Sequence, residues 1–284
     1  MPTPNISWFF GPKLAITKPL LLRIAFVALC GSIGAVLRIW LPYEFKGLGA
    51  EASAVGAFAL TFLIGFRNSA AYDRWWEARK MWGIISNNLR NFCVKFVTWF
   101  QVTQDERRDC HRLVTGFALA LRDQLRDSAQ LSNLPGFASV TDRPAHVPAY
   151  LAVKIQQLLL SIGPDRRRDP LALIAMDYHV RAIMEAVGSC ERIKTTPLST
   201  SYRALLRHGF FYYLAFAAVF VIWDLGLVAL PAVLIPAYFL IGIELAAESV
   251  EEPFGLQGDD LPLDSLCASI SKTTGQILGV AVEE

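Results

Sequence analysis

The hydrophobic pattern of the chain is dominated by four long apolar runs, two near each end, with a polar middle between them. The runs span Leu20 to Leu41, Leu48 to Phe66, Gly209 to Gly226, and Leu227 to Glu248. A helix rises about 1.5 Å per residue, so roughly 20 apolar residues cross a hydrocarbon core of about 30 Å. The pattern therefore predicts four transmembrane helices.

The positions of Lys and Arg predict the orientation of these helices. Basic residues precede the first and third runs and follow the second. The connector between the first two runs has only Lys46, and that between the last two has no basic residue. By the positive-inside rule both connectors face outward, which leaves the N- and C-termini in the cytoplasm. We expect a multi-pass protein of the plasma membrane.

The 5 cysteines are odd in number and lack paired spacing, as is typical of a reducing compartment.

The polar middle, residues 84–202, shows helical periodicity in four segments. Asp109 is the expected N-cap of the second segment, and a proline-rich loop follows that segment. The expected organisation divides the chain into five parts: 1–19, an N-terminal cytosolic segment; 20–83, two membrane helices with a cytosolic helix extension; 84–207, a cytosolic helical region; 208–248, two further membrane helices; and 249–284, an acidic loop and tail.

Composition and motifs argue against catalysis and nucleic-acid binding. Only 18% of the 284 residues are charged, below the roughly 25% of soluble domains, and the net charge is +2. The 4 histidines are scattered, and neither a phosphate-binding loop nor a nucleophile elbow is present. We expect neither an enzyme nor a nucleic-acid partner, and the sequence does not identify a metal ligand set.

Phe58, Phe62 and Phe66 recur at every fourth position of the second apolar run. Each step of four advances about 40° around a helix, so the three rings share one face. Such a stripe faces lipid or a neighbouring helix in many membrane proteins. Alternatively, stripes from several subunits converge on an axis and form a hydrophobic constriction that gates by dewetting.

Three segments resemble the bestrophin family, in particular its prokaryotic members: "GFRNSAAYDRWWEARKMWG" (65–83), "GSCERIKTTPLSTSY" (188–202) and "EEPFGLQGDDLPLD" (251–264). The resemblance implies an all-α membrane protein with four transmembrane helices and a helical cytosolic region in each subunit. It also implies a homopentamer around one central pore, with a hydrophobic neck and a second, cytosolic aperture. By the same resemblance, the neck residues are Phe58, Phe62 and Phe66, and the aperture is at Leu171.

The first of these segments interleaves charges with tryptophans where the second apolar run ends. Its aromatic residues suit the membrane interface. Asp73 and Glu77 lie four residues apart and would repel each other unless bases are near. Arg74, Arg79 and Lys80 can supply those bases, within the helix or from a neighbouring subunit. The other interpretation is that these charges only mark the inner membrane face.

The resemblance implies an ion channel, but it leaves the ion open. Phenyl rings present a positive edge, so ring edges toward the axis favour small monovalent anions such as chloride. Rings turned face-on would favour sodium or potassium, and composition alone also fits a non-conducting membrane scaffold. Expected partners are the lipid bilayer, further copies of the chain and the permeant ions.

Calcium is a possible cofactor, with Glu251, Glu252, Asp259 and Asp260 as candidate ligands. The other interpretation of these four residues is an acidic cap or subunit-contact loop, because the segment offers few carboxylates for a calcium site.

Overall fold

The computed structural model describes residues 17–40, 48–256 and 259–281, without the side chains of 48–54 and 200. Over these ranges the secondary structure is helical, apart from short 3-10 turns and an isolated β-bridge between Phe100 and Arg167. The helices are α1 (Thr17–Trp40), α2 (Leu48–Trp99), α3 (Gln104–Leu125), α4 (Val147–Ser161), α5 (Ala172–Thr195), α6 (Thr200–Leu225), α7 (Leu230–Glu251) and α8 (Leu263–Leu278).

The chain divides into two compact units. Unit 1 comprises Met1–Asp73, Pro197–Glu252 and Leu256–Asp259, and unit 2 comprises Arg74–Thr196, Pro253–Gly255 and Asp260–Glu284. Helix α2 begins in unit 1 and ends in unit 2, so the division falls inside this helix.

Unit 1 contains helices with the length and composition of membrane spans. Within the described part of the chain, these are Thr17–Trp40, Ser201–Leu225 and Leu227–Glu251. They correspond to the first, third and fourth apolar runs. The second run lies at the start of α2, where the side chains of 48–54 are outside the described residues. A fourth span therefore stays a prediction.

Small residues allow α1 to pack closely against α6. A Cβ atom at Gly34 would lie 2.7 Å from the carbonyl oxygen of Val219 and 3.0 Å from its Cα. Both atoms belong to backbone, which cannot move aside as a flexible side chain can. Close backbone approach through small residues is a principal source of helix association in lipid.

Unit 2 is built around an apolar core to which α2, α3, α4, α5 and α8 contribute. Trp82, Phe96, Phe117, Leu151 and Ile183 are among its buried side chains. Burial of this much apolar surface is what stabilises a domain in water.

The N-terminus of α3 differs from the expectation. Thr103, not Asp109, is the N-cap: its hydroxyl accepts a hydrogen bond from the Glu106 backbone N–H, and the Glu106 carboxylate accepts one from the Thr103 N–H. This reciprocal capping box satisfies two backbone donors at once. Asp109 instead lies inside the helix and pairs with Arg112.

Helix α8 lies where only a loop and tail were expected from the sequence. Leu263, Cys267, Ile270 and Leu278 are buried in the core of unit 2. The helix ends at Gly279, which has a φ of 66°, a left-handed conformation that glycine adopts without strain. Its serines and threonines lower the intrinsic helix propensity, so its stability comes from packing rather than from local preference.

Candidate functional site

The phenylalanine stripe of α2 is exposed in the single chain. Phe58, Phe62 and Phe66 expose 77%, 59% and 55% of their surface. The rings of Phe62 and Phe66 meet edge to face, with centroids 4.5 Å apart and planes at 85°. Ile64, on another face of the same helix, is buried in the core of unit 1. The structure therefore places the three predicted neck residues on one helix face that the described residues of the chain leave exposed.

A buried charge cluster begins at the residue that follows the stripe. Arg67 is 1% exposed; its Nε lies 2.8 Å from Glu244 Oε2, and its Nη2 lies 3.5 Å from Glu251 Oε2. Arg203 Nη1 lies 3.2 Å from Glu251 Oε1. Two arginines thus balance two carboxylates, and such pairing is what makes buried charges tolerable. The cluster joins α2, α6 and α7.

This cluster was not predicted from the sequence. The signal was available in part, because Arg67 ends an apolar run and Glu244 lies within another. An ionisable residue in a membrane segment almost always has a partner. The pairing itself requires the tertiary structure, since the partners are far apart in the chain.

A second ion-pair group lies beside the first in unit 1. Glu248 pairs with Arg207 of α6, and its other oxygen lies 3.9 Å from Arg23 of α1. Glu248 follows Glu244 by four residues, so the two carboxylates share a face of α7. Both groups lie where α1 and α6 begin and α7 ends.

The tryptophan-rich segment continues into unit 2, where its charges bind α5. The Arg74 guanidinium donates to the carbonyls of Thr196, at 2.5 Å, and of Ile193, and so caps the C-terminus of α5. Glu77 pairs with Arg192 at 2.8 Å. Within the chain, a base beside Glu77 is thus supplied by α5. The expectation that Arg74, Arg79 and Lys80 also supply bases, within the helix or from a neighbouring subunit, stays a prediction.

The cysteine of the second family-like segment has a packing role. Cys190 is buried in the core of unit 2. Burial, together with the nearby carboxylates of Glu191 and Glu77, raises the pKa of its thiol to about 12. The thiol therefore stays protonated at neutral pH and has little nucleophilic reactivity.

The predicted cytosolic aperture residue, Leu171, lies directly before α5 in unit 2 and is 62% exposed. Its backbone N–H donates to the Asp169 carboxylate at 2.7 Å, which holds the start of the helix. Ile174 and Tyr178 continue an exposed surface along α5. This surface suits a constriction in an assembly, and the assignment of Leu171 stays a prediction.

Of the four acidic residues considered for calcium, Glu251 does not suit a calcium ligand, and the assignment of the other three stays a prediction. Glu251 is 2% exposed and holds Arg67 and Arg203, so its oxygens are already engaged. The Asp260 carboxylate packs over Gly255, where a Cβ atom would lie 2.6 Å from Oδ2. Glu252 is the C-cap of α7, and Asp259 follows positions 257–258, which lie outside the described residues. Within the described ranges, no group of three or more His, Cys, Asp or Glu residues has the arrangement of a metal site.

Curated relatives cover nearly the whole chain. A protein of Ralstonia nicotianae is 26% identical over 97% of this chain and 94% of its own length. One of Synechocystis is 30% identical over 93% of this chain and 87% of its own. The YneE protein of Escherichia coli K12 is 28% identical over 93% of this chain and 86% of its own length. All three are named voltage-dependent anion channel-forming proteins.

Solved structures show the same fold. A bacterial bestrophin homologue from Klebsiella pneumoniae superposes with a TM-score of 0.84 at 21% identity, over 92% of this chain and 99% of that one. A single-substitution variant of that homologue gives a TM-score of 0.86 over 94% of this chain and 99% of the variant. The family model described as Bacterial/Fungal Bestrophin protein matches residues 3–276. This family match and the names of the relatives agree with the sequence-based expectation that the protein is a channel and not an enzyme. The chain belongs to the bacterial and fungal bestrophin family.

Proposed function

We propose that the protein is a homopentameric channel that passes small monovalent anions, such as chloride, through a neck lined by Phe58, Phe62 and Phe66. The observation that carries the proposal is the exposed phenylalanine stripe. Three large apolar rings on one helix face, left exposed by the described residues of their own subunit, suit a surface that meets identical surfaces around an axis. Such a neck gates by wetting and dewetting.

The buried cluster beneath the stripe supports this role. Arg67 directly follows Phe66 and ties α2 to α6 and α7 through Glu244, Glu251 and Arg203. A helix end held by buried ion pairs keeps its ring positions fixed, as a narrow constriction requires. A stripe that merely contacted fluid lipid would need no such anchor.

The ring geometry and the relatives together favour anions. The edge of an aromatic ring is electropositive, and the edge-to-face arrangement of Phe62 and Phe66 shows that neighbouring rings do not stack flat. Edges directed at an axis would stabilise an anion that has lost part of its hydration shell. The names of the curated relatives, voltage-dependent anion channel-forming proteins, point the same way.

The remaining topology follows from the same proposal. The start of α2 provides the fourth membrane span, both termini lie in the cytoplasm, and unit 2 forms the cytosolic region. Leu171 forms the second constriction, where the exposed apolar start of α5 meets its copies. The protein resides in the plasma membrane, with lipid, further subunits and permeant ions as its partners.

Recording from the purified protein in planar bilayers tests this function. With a tenfold KCl gradient across the bilayer, an anion-selective pore reverses near the chloride equilibrium potential, roughly 58 mV from zero. Reversal near the potassium potential would identify a cation channel and overturn the selectivity. Absence of current from intact pentamers would identify a non-conducting scaffold. A native mass that does not correspond to five copies would overturn the assembly.

A further inference from the structure

Unit 1 contains a pocket of about 390 Å³ between α1, α6 and α7 that the channel function does not use. One end is apolar, formed by residues that include Phe26, Phe211 and Ala215. The Phe26 and Phe211 rings are stacked, with centroids 4.9 Å apart. The other end is polar, formed by Arg23, Arg207, His208 and Glu244. A cavity with one apolar end and one charged end suits an amphiphile.

Besides the shape of the pocket, the buried side chain of Glu244 points to a ligand. Its side chain is 97% buried, since only 3% is exposed. Oε2 faces Arg67, but Oε1 is buried and accepts no hydrogen bond from the described residues. A buried acceptor without a donor is unfavourable, because it has lost its hydrogen bond to water. Glu244 lines the pocket, but Oε1 itself is closed off from the empty cavity. The side chain must therefore turn toward a ligand before a ligand hydroxyl can donate to this oxygen.

The charges around the pocket favour a ligand with one negative charge. Arg67 and Arg203 are balanced by Glu244 and Glu251. The remaining group, Arg23 and Arg207 against Glu248, keeps one positive charge in excess. Arginine binds phosphate through paired hydrogen bonds, so these two guanidinium groups suit a phosphodiester.

The position of the pocket matches the depth of a lipid headgroup. Arg23 lies near the start of α1, Arg207 near the start of α6, and Glu244 near the end of α7. The polar end of the pocket is thus at the same end of all three helices. By the positive-inside rule this is the cytoplasmic end, and basic pockets between membrane helices on that side bind lipid headgroups.

We propose that this pocket is a binding site for an anionic phospholipid with a hydroxylated headgroup, of the phosphatidylglycerol type. The phosphate binds Arg23 and Arg207, a headgroup hydroxyl donates to Glu244 Oε1, and the upper acyl region lies along Phe26 and Phe211. The lipid would connect α1, α6 and α7 at the level where Arg67 anchors the neck helix.

Native mass spectrometry of the delipidated, full-length protein tests the site with added phosphatidylglycerol. Phosphatidylmethanol has the same charge without the hydroxyl groups, and phosphatidylcholine has no net charge. We expect phosphatidylglycerol to bind several-fold more tightly than phosphatidylmethanol, and both to bind more tightly than phosphatidylcholine. Equal binding of all three lipids would overturn the proposal. So would competition by glycerol 1-phosphate as effective as that by the lipid, because the site would then take a free anion.

Two variants with matched controls locate the binding. Ala215→Phe fills the pocket without changing charge, and Arg207→Gln removes a phosphate ligand; each should weaken phosphatidylglycerol binding by about tenfold. The controls are Ala25→Phe, at an exposed position of α1 outside the pocket, and Arg181→Gln, at an exposed position of unit 2. Both should bind phosphatidylglycerol within about twofold of the parent protein. Retained native mass confirms that Ala215→Phe folds. Unchanged lipid binding by that folded variant would overturn the site. Channel currents in phosphatidylcholine bilayers test the channel proposal separately.

Discussion

Arg67 Nε lies 2.8 Å from Glu244 Oε2, and both side chains are almost completely buried. Replacement of Arg67 by Met keeps the volume of the side chain but removes the charge that balances Glu244 and Glu251. Breaking a buried ion pair from one side costs about 3–5 kcal/mol, because the remaining charge stays buried. We expect Arg67→Met to lower the yield of folded protein and its midpoint of thermal unfolding in detergent. Arg181→Met, at an exposed arginine, is the control and should behave as the parent protein does. Equal stability of the two variants would show that the cluster contributes nothing.

Phe62 is the central ring of the proposed neck. Phe62→Ala removes its ring and the edge-to-face contact with Phe66, which widens the constriction and makes dewetting less favourable. Single-channel conductance should rise by roughly twofold or more, and closures should become rarer. Phe239→Ala removes an equally exposed ring from α7 and should leave the currents unchanged. Unaltered currents from Phe62→Ala, or an equal change in both variants, would contradict the neck assignment.

Gly34 lies against the backbone of Val219. In Gly34→Ala the added methyl group meets atoms that cannot move aside, so α1 and α6 must separate. Overpacking of this kind costs about 1–3 kcal/mol. Gly242→Ala is the matched control in α7, since nothing in the described structure lies within 4 Å of a Cβ atom there. Thermal unfolding in detergent should show a loss for the first variant and no loss for the second, which also gains helix propensity. A tolerated Gly34→Ala would contradict the close packing of these helices.

The membrane helices and the common face of the phenylalanine stripe could be predicted from the sequence, because they depend on hydrophobicity and helix geometry. The apolar runs match α1, α6 and α7 because length and hydrophobicity directly reflect the thickness and polarity of a bilayer. The common face of Phe58, Phe62 and Phe66 could be predicted as well, because it follows from helical geometry alone.

Features that depend on partners distant in the chain could not be predicted. The pairing of Arg67 with Glu244, and of Glu77 with Arg192, requires the packing of separate helices. Helix α8 was missed because packing, not local propensity, stabilises it. The N-cap of α3 is a different case: Thr103 and Glu106 have the spacing of a capping box, and that signal was present in the sequence.

Glu106 and Arg166 form a two-bond ion pair in unit 2, with Nη1 to Oε1 at 2.9 Å and Nη2 to Oε2 at 2.5 Å. The hydrogen bond from Arg166 lowers the pKa of the Glu106 carboxyl; partial burial opposes this effect, and the bonds with Thr103 add to it. A pKa that is lower in the folded state stabilises the fold above the unfolded value of about 4.3. This stabilisation is lost as the pH falls through the folded value.

Glu106→Gln keeps an acceptor for the capping box but loses the charge, so it isolates the ion pair. At pH 7 we expect the variant to unfold on the order of 1–3 °C below the parent protein. The difference should persist above about pH 5 and shrink below about pH 4, as the parent carboxylate takes up a proton. Glu185→Gln, at an exposed position of α5, should show no such pH-dependent difference. Melting curves of the detergent-solubilised proteins between pH 3 and 8 provide the measurement. A difference that stays constant over this whole range would mean that the pair does not act through the Glu106 charge.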